Sequence, residues 1–285
     1  MYAWVFPGQG SQKIGMGGEL FHKYSELTEI ADEVLGYSIK ELCLEDNERL
    51  NKTEYTQPAL FVVNALAYHE KLNDIGEKPA FLLGHSLGEY NALYAAGVID
   101  FETGLRLVKK RGELMNKAKG GSMAAVLGLT EEKISMIIKE NSLKDIYIAN
   151  YNSAKQIVLS GDKEAVENAK ACFEKAGAMA YKILNVSGAF HSPFMVDASR
   201  EFGNYIKKFK FSKMESPVIS NVTGKPYEED NLTDILVKQI ISSVKWAESI
   251  QYLLRRDITE IIQVGPGNVL TGMIRTIKRE SIQKT

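Results

Sequence analysis

The sequence predicts an α/β protein: a large core built on a mainly parallel sheet, with a small ferredoxin-like subdomain inserted in it. Three observations carry that prediction. Short apolar runs alternate with helical patterns at both ends of the chain, as they do where helices connect parallel strands. Residues 84–88, GHSLG, stand between an apolar run and a helix-forming run, the strand, sharp turn and helix that a G-x-S-x-G nucleophile elbow needs. Between about residues 122 and 188 the rhythm changes to β-α-β-β-α-β, the order of a ferredoxin-like unit.

The elements follow in order. YAWVF at 2–6 reads as the first strand, turning at Pro7-Gly8, and a helix-rich stretch runs to about residue 78. AFLLG is the next strand, followed by the Ser86 helix and a helix over about 101–118. In the insert, MAAVLGL is a strand and TEEKISMIIKEN a helix. IYIANY and QIVLSG are strands around a turn at Asn152-Ser153, DKEAVENAKACFEKAG is a helix, and AYKILNV a last strand. Glu260 to Val264 gives a strand, Gly265-Pro266-Gly267 a turn, and Val269 to Lys278 a helix. The large domain therefore comprises 1–121 and 189–285, and the small one 122–188.

With 285 residues the chain is long enough to bury a sizeable core around a deep cleft. Its 35 Lys+Arg against 36 Asp+Glu leave a formal net charge of -1, which points away from nucleic acid and from anionic membranes. Cys43 and Cys172 have no C-x-x-C spacing, arguing against a disulfide framework or zinc site and for a reducing cytoplasm. The start of the chain lacks a signal-peptide pattern, and no 18-residue apolar stretch is present to span a bilayer.

A serine hydroxyl is a weak nucleophile at neutral pH and needs a neighbouring base. Of the four histidines, His22 and His69 lie in amphipathic helical patterns, and His85 adjoins Ser86 with its side chain directed elsewhere. His69-Glu70 does not complete H-E-x-x-H, because the fifth position is Asn73. His191 remains, in GAFHSPF, just before a helix start with Ser192 as N-cap and Pro193 as first helical residue. Asp197 and Asp234 are available as a third member, but no spacing singles them out; a dyad oriented by backbone carbonyls fits as well.

FPGQGSQ does not complete a dinucleotide fingerprint, since Lys13 stands where the third glycine belongs. It is either a plain turn or a close approach of main chain in which an N–H near Gln9 joins that of Leu87 as an oxyanion hole. Arg111 falls in the middle of an apolar stripe formed by Leu107, Val108, Leu114 and Met115. A guanidinium facing a core must be paired. Its partner is an internal carboxylate, or solvent reached by a snorkelled stem, or the carboxylate of a dicarboxylic acyl substrate held by a bidentate fork.

Taken together, FPGQGSQ, TQPAL, GHSLGEY, the Arg111 helix with RGELM, MAAVLGL, GAFHS and VGPGNVLTG resemble the malonyl-CoA:acyl carrier protein transacylase family over nearly the whole chain. GYSIKELCLEDNERLNKTEYTQPALFVVNAL and PVISNVTGKPY are most similar to the free-standing, trans-acting acyltransferases of modular polyketide synthases. The resemblance implies a hydrolase-like core with a ferredoxin-like insert, Ser86 as acylated nucleophile and His191 as its base. It also implies an oxyanion hole from the backbone of Gln9 and Leu87, Arg111 on the malonyl carboxylate, and a main-chain carbonyl near Lys245 orienting the histidine. GAFHS resembles the AFHS form associated with malonyl, with Phe190 leaving little room for an α-methyl; Gly188 departs from the histidine common in synthase-embedded domains.

The expected reaction moves malonyl from malonyl-CoA through a Ser86 ester to the phosphopantetheine thiol of an acyl carrier protein, in a monomer with no metal or redox cofactor. Three rivals stand beside it: a fatty-acid-synthesis transacylase of identical chemistry, a hydrolase clearing acyl chains from carriers, and a non-catalytic carrier-binding module.

Overall fold

A computed structural model describes residues 1–282. Four strands, β1 (Tyr2–Phe6), β2 (Phe81–Gly84), β7 (Val218–Ile219) and β8 (Glu260–Gln263), form an all-parallel sheet in the order β7-β2-β1-β8. The other four, β3 (Gly121–Leu127), β4 (Ile146–Ser153), β5 (Gln156–Asp162) and β6 (Ala180–Ile183), form an antiparallel sheet in the order β4-β5-β3-β6.

β1 explains why the first sheet reads as an unbroken apolar run. Strand side chains alternate between faces, and a parallel sheet covered on both sides needs both sets apolar. Trp4 and Phe6 join a core with helix Thr53–Ile75, while Ala3 and Val5 join a second core with helices Trp246–Leu254 and Val269–Ile282. Helix Phe101–Lys117 packs on helix Thr53–Ile75 through two glycines: a Cβ on Gly104 would meet Phe61, and one on Gly112 would lie 3.1 Å from the carbonyl oxygen of Thr53. That close approach brings Arg111 beside Gln57.

The small sheet alternates in the same way. Ala124, Val126, Ile157 and Leu159 pack on the insert's own helices, while Met123 and Val158 belong to the large core. Its edge strand β4 is sewn to the segment before helix Trp246–Leu254, since Tyr151 N–H donates to Val244 C=O at 2.9 Å and Val244 N–H to Ala149 C=O at 2.8 Å.

Some boundaries differ from expectation. Asn152 and Ser153 lie within β4, and the turn falls on Ala154-Lys155, because Ser153 pairs with Gln156. The insert's second helix is interrupted at Ala169, giving Lys163–Asn168 and Lys170–Lys175. β7, within PVISNVTGKPY, has only two residues and left no alternating pattern to read. No helix among the described residues is long and apolar enough to cross a membrane.

Candidate active site

The parallel strands β1 and β2 end at one place, and the turn after β2 carries Ser86 there. Its φ of 52° lies in the left-handed region, which costs a non-glycine residue on the order of 1–3 kcal/mol and is held only by its surroundings. The flanking glycines are steric requirements. A Cβ on Gly84 would sit 1.8 Å from the Gly88 carbonyl carbon, and one on Gly88 would sit 2.1 Å from Phe6 O. Asn221 clamps the turn: its Oδ1 accepts from Ser86 N–H at 2.6 Å and its Nδ2 donates to Gly84 C=O at 2.7 Å.

His191, also left-handed at φ 57°, meets the serine across the fold with Ser86 Oγ 2.7 Å from its Nε2. Its Nδ1 faces two carbonyl oxygens, Gln239 at 2.9 Å and Ser242 at 3.1 Å. Carbonyls only accept, so Nδ1 carries the proton and the Nε2 lone pair faces the hydroxyl, the tautomer a general base requires. Burial, followed by the Arg111 charge, pushes the imidazole pKa down to about 3, so it stays neutral at physiological pH. Lys245 does not orient the histidine: its carbonyl accepts from Ser249 instead, and the orienting carbonyls lie upstream. Neither aspartate serves, since Asp197 pairs with Arg200 at the surface and Asp234 is exposed.

Arg111 is 1% exposed, and no ion pair among the described residues includes it. Its partners are neutral oxygens: Nη1 donates to Gln57 Oε1 at 2.8 Å, Nη2 to Gln239 Oε1 at 3.0 Å and to Ser86 Oγ at 3.1 Å. Among the described residues its Nε has no hydrogen-bond partner; the guanidinium carbon lies 5.8 Å from the centre of the Tyr90 ring, and burial lowers the Arg111 pKa. Neither the internal ion pair nor the snorkelled stem describes it. Arg111, Ser86, Leu87, Gln9, Phe190 and His191 line one pocket of about 80 Å³, closed on its apolar side by Met115, Met123, Leu184 and Val186.

The glycine-rich turn approaches the elbow closely, for a Cβ on Gly8 would lie 2.3 Å from His85 O and 3.7 Å from Leu87 N. Among the described residues, no hydrogen bond engages the backbone N–H of Gln9 or of Leu87. His85 turns away, its Nε2–H donating to Asn152 Oδ1 at 2.9 Å. His69 contacts the Tyr94 hydroxyl at 2.6 Å, remote from the serine.

Gln57, Glu89, Asn221 and Gln239 escaped the sequence reading as site residues. Gln57 was visible only as a lone amide inside TQPALFVV, and Asn221 as one polar residue after the apolar PVIS. The arrangement can transfer an acyl group through a serine ester, with two free N–H groups for the tetrahedral oxyanion and a buried cation for a second negative charge on the acyl chain.

The acyl transferase domain family model matches residues 3–284, and the chain belongs to that family. It is 54% identical over 283 residues to the polyketide biosynthesis malonyl CoA-acyl carrier protein transacylase PksC of Bacillus subtilis, covering 99% of this chain and 98% of that one. It is 53% identical to polyketide biosynthesis protein PksE of the same organism, of which it spans only 37%. Among solved structures, the malonyl CoA-acyl carrier protein transacylase of Burkholderia pseudomallei superimposes with a TM-score of 0.95 at 48% identity, covering 98% of each chain. A malonyl-transacylase in complex with a type II polyketide synthase acyl-carrier protein gives 0.93 at 36% identity, covering 98% of this chain and 93% of that one.

Proposed function

We propose that this chain carries malonyl from malonyl-CoA to the phosphopantetheine thiol of an acyl carrier protein, acting in trans for a polyketide synthase. The observation that carries the reading is Arg111, a buried guanidinium that forms no ion pair among the described residues, in the same pocket as Ser86. Within the chain a carboxylate, that of Glu89, reaches this guanidinium only through the Gln239 amide, and a substrate carboxylate is the direct partner it lacks. A hydrolase for monocarboxylic chains gains nothing from such a cation.

Ser86 Oγ attacks the thioester carbonyl as its proton passes to His191 Nε2, and the oxyanion forms against the N–H groups of Gln9 and Leu87. Collapse of that intermediate expels the coenzyme A sulfur, which takes the proton from His191. The carrier thiol reverses the sequence and restores the serine. When the malonyl carboxylate binds Arg111, it offsets the charge that, after burial, lowers the His191 pKa, and this contribution favours the base as the dicarboxylic acyl group arrives. Phe190 narrows the pocket against an α-methyl group.

The polyketide role draws on the names of the relatives above 50% identity. Relatives such as that of Synechocystis, at 42%, are named simply malonyl CoA-acyl carrier protein transacylase, without a pathway, and the fatty-acid-synthesis alternative has identical chemistry. We infer a monomer without a bound cofactor working in the cytoplasm, the compartment in which a malonyl-CoA donor is at hand.

The test is intact-protein mass spectrometry after mixing the protein with malonyl-, methylmalonyl- and acetyl-CoA. A malonyl adduct on Ser86 that persists in water and moves to an added carrier supports the transferase. If no adduct accumulates while acyl chains vanish from acyl-carrier thioesters, the hydrolase reading replaces it. Polyketide and fatty-acid carriers supplied in competition separate the two pathways.

A further inference from the structure

We propose that Glu89 is a positioning residue for acyl transfer: its carboxylate sets the orientation of the Gln239 side-chain amide, and thereby the acceptor that holds Arg111. For its malonyl readout this rests on the function proposed above.

Glu89 lies in GHSLGEY, in the first turn of the helix after the elbow, and its exposure is 0%. Among the described residues no ion pair includes it; three neutral donors surround it instead. Oε1 accepts from Asn221 N–H at 3.1 Å and from the Tyr227 hydroxyl, and Oε2 accepts from Gln239 Nε2. Arg111, Tyr90 and Tyr227 are the charged or titratable groups around it. Burial pushes its pKa up to about 7 against the lowering effect of the three donors.

Gln239 touches most parts of the machinery. Its Nε2 donates to Glu89 and to Ser86 C=O at 3.0 Å, its Oε1 accepts from Arg111, and its backbone carbonyl accepts from His191. An amide has a donor end and an acceptor end, so turning it over reverses every contact. In the reversed form its NH₂ would oppose the Arg111 guanidinium, and its oxygen would oppose the Glu89 carboxylate and the Ser86 carbonyl. In its ionised form, the form favoured by the three donors that face it, Glu89 presents only acceptors to Gln239 and selects the orientation that gives Arg111 a carbonyl oxygen. Through Asn221, the same carboxylate supports the clamp on Ser86 N–H.

Glu89→Gln tests this at constant shape. With its oxygen turned to Asn221 and Tyr227, the new amide would present NH₂ to the NH₂ of Gln239. We expect malonylation of Ser86 to slow by about 10- to 100-fold and the malonyl-over-acetyl preference to fall by about tenfold, the loss expected where buried donors are opposed. Leu253→Ala, in the core on the other side of the parallel sheet, provides a destabilised control that keeps the wild-type preference. In the Glu89→Gln/Gln239→Met double variant the preference should be no lower than in Gln239→Met alone, because the two residues act as one unit.

A folded Glu89→Gln protein with wild-type preference, or multiplicative losses in the double variant, overturns the proposal. If Glu89→Gln does not fold, Glu89→Asp withdraws the carboxylate by one methylene and should lower the same preference; unchanged preference in that variant also overturns it. Should the wild type form no malonyl ester, the substrate reading fails by itself. Labelling of Ser86 by a neutral fluorophosphonate then decides the role of Glu89: slower labelling in Glu89→Gln than in Leu253→Ala supports it, and equal rates refute it.

Discussion

The two sheets bury different things. The antiparallel insert holds together through aliphatic and aromatic contacts among Ile134, Ile137, Val166, Phe173 and Tyr181, with its helices covering one face. Around the ends of the parallel sheet the chain instead buries Gln57, Glu89, Arg111, His191, Asn221 and Gln239. Apolar packing contributes stability in proportion to area, whereas buried polar groups do little better than offset their own desolvation. What the polar cluster supplies is orientation, and it holds two left-handed residues, Ser86 and His191, at hydrogen-bond distance.

That contrast is testable from its strongest point downward. Ser86→Ala or His191→Ala should reduce acyl-enzyme formation by about 10⁴-fold or more while leaving a folded protein, measured by the rate of malonyl adduct formation. Arg111→Ala should lower malonylation by about 10²- to 10³-fold, much more than acetylation, and Arg111→Lys should restore little, because an ammonium cannot reproduce the fork. Competition between the two donors in one reaction reads both effects. Phe173→Ala should do the opposite, costing about 3–5 kcal/mol in denaturant unfolding with the rate per folded molecule unchanged. Loss of rate in that variant beyond the loss of folded protein would break the comparison.

The smallest effect concerns pH. His191 has its pKa depressed from 6.5 to about 3, so the unfolded chain takes up its proton first as pH falls. The stability this gives is fully present above about pH 6.5 and is lost progressively as pH falls toward 3. Glu89 works in the other direction, since its raised pKa makes the fold less stable as pH rises from 4.5 to about 7. Chemical denaturation across this range should show a shallower acid loss in His191→Gln than in the parent.

Legibility in the sequence followed how local each requirement was. The elbow could be read because its geometry rests on Gly84 and Gly88, residues that only a near-contact of backbones demands. Arg111 stood out because a charge interrupted an apolar stripe, although the stripe left its partner undecided. The carbonyls that orient His191 carry no side-chain signature, and the expected position, Lys245, lies past the two that are used. Asn221 and Gln239 are single polar residues in segments distant from Ser86, and nothing near them in the chain announces what they touch.

By itself, the sequence determined the alternating elements, the serine turn, the antiparallel unit between the parallel strands, and the chemical type of the candidate nucleophile, base and cation. Those depend on periodicity, glycine sterics and side-chain chemistry, all of which act over a few residues. Only the tertiary structure decided which oxygen faces each nitrogen: Arg111 meeting the amides of Gln57 and Gln239, Glu89 holding Gln239 and Asn221, and the carbonyls of Gln239 and Ser242 orienting His191. Hydrogen bonds between segments more than 100 residues apart exist only once the helices have packed, because their geometry is set by that packing and by no local preference.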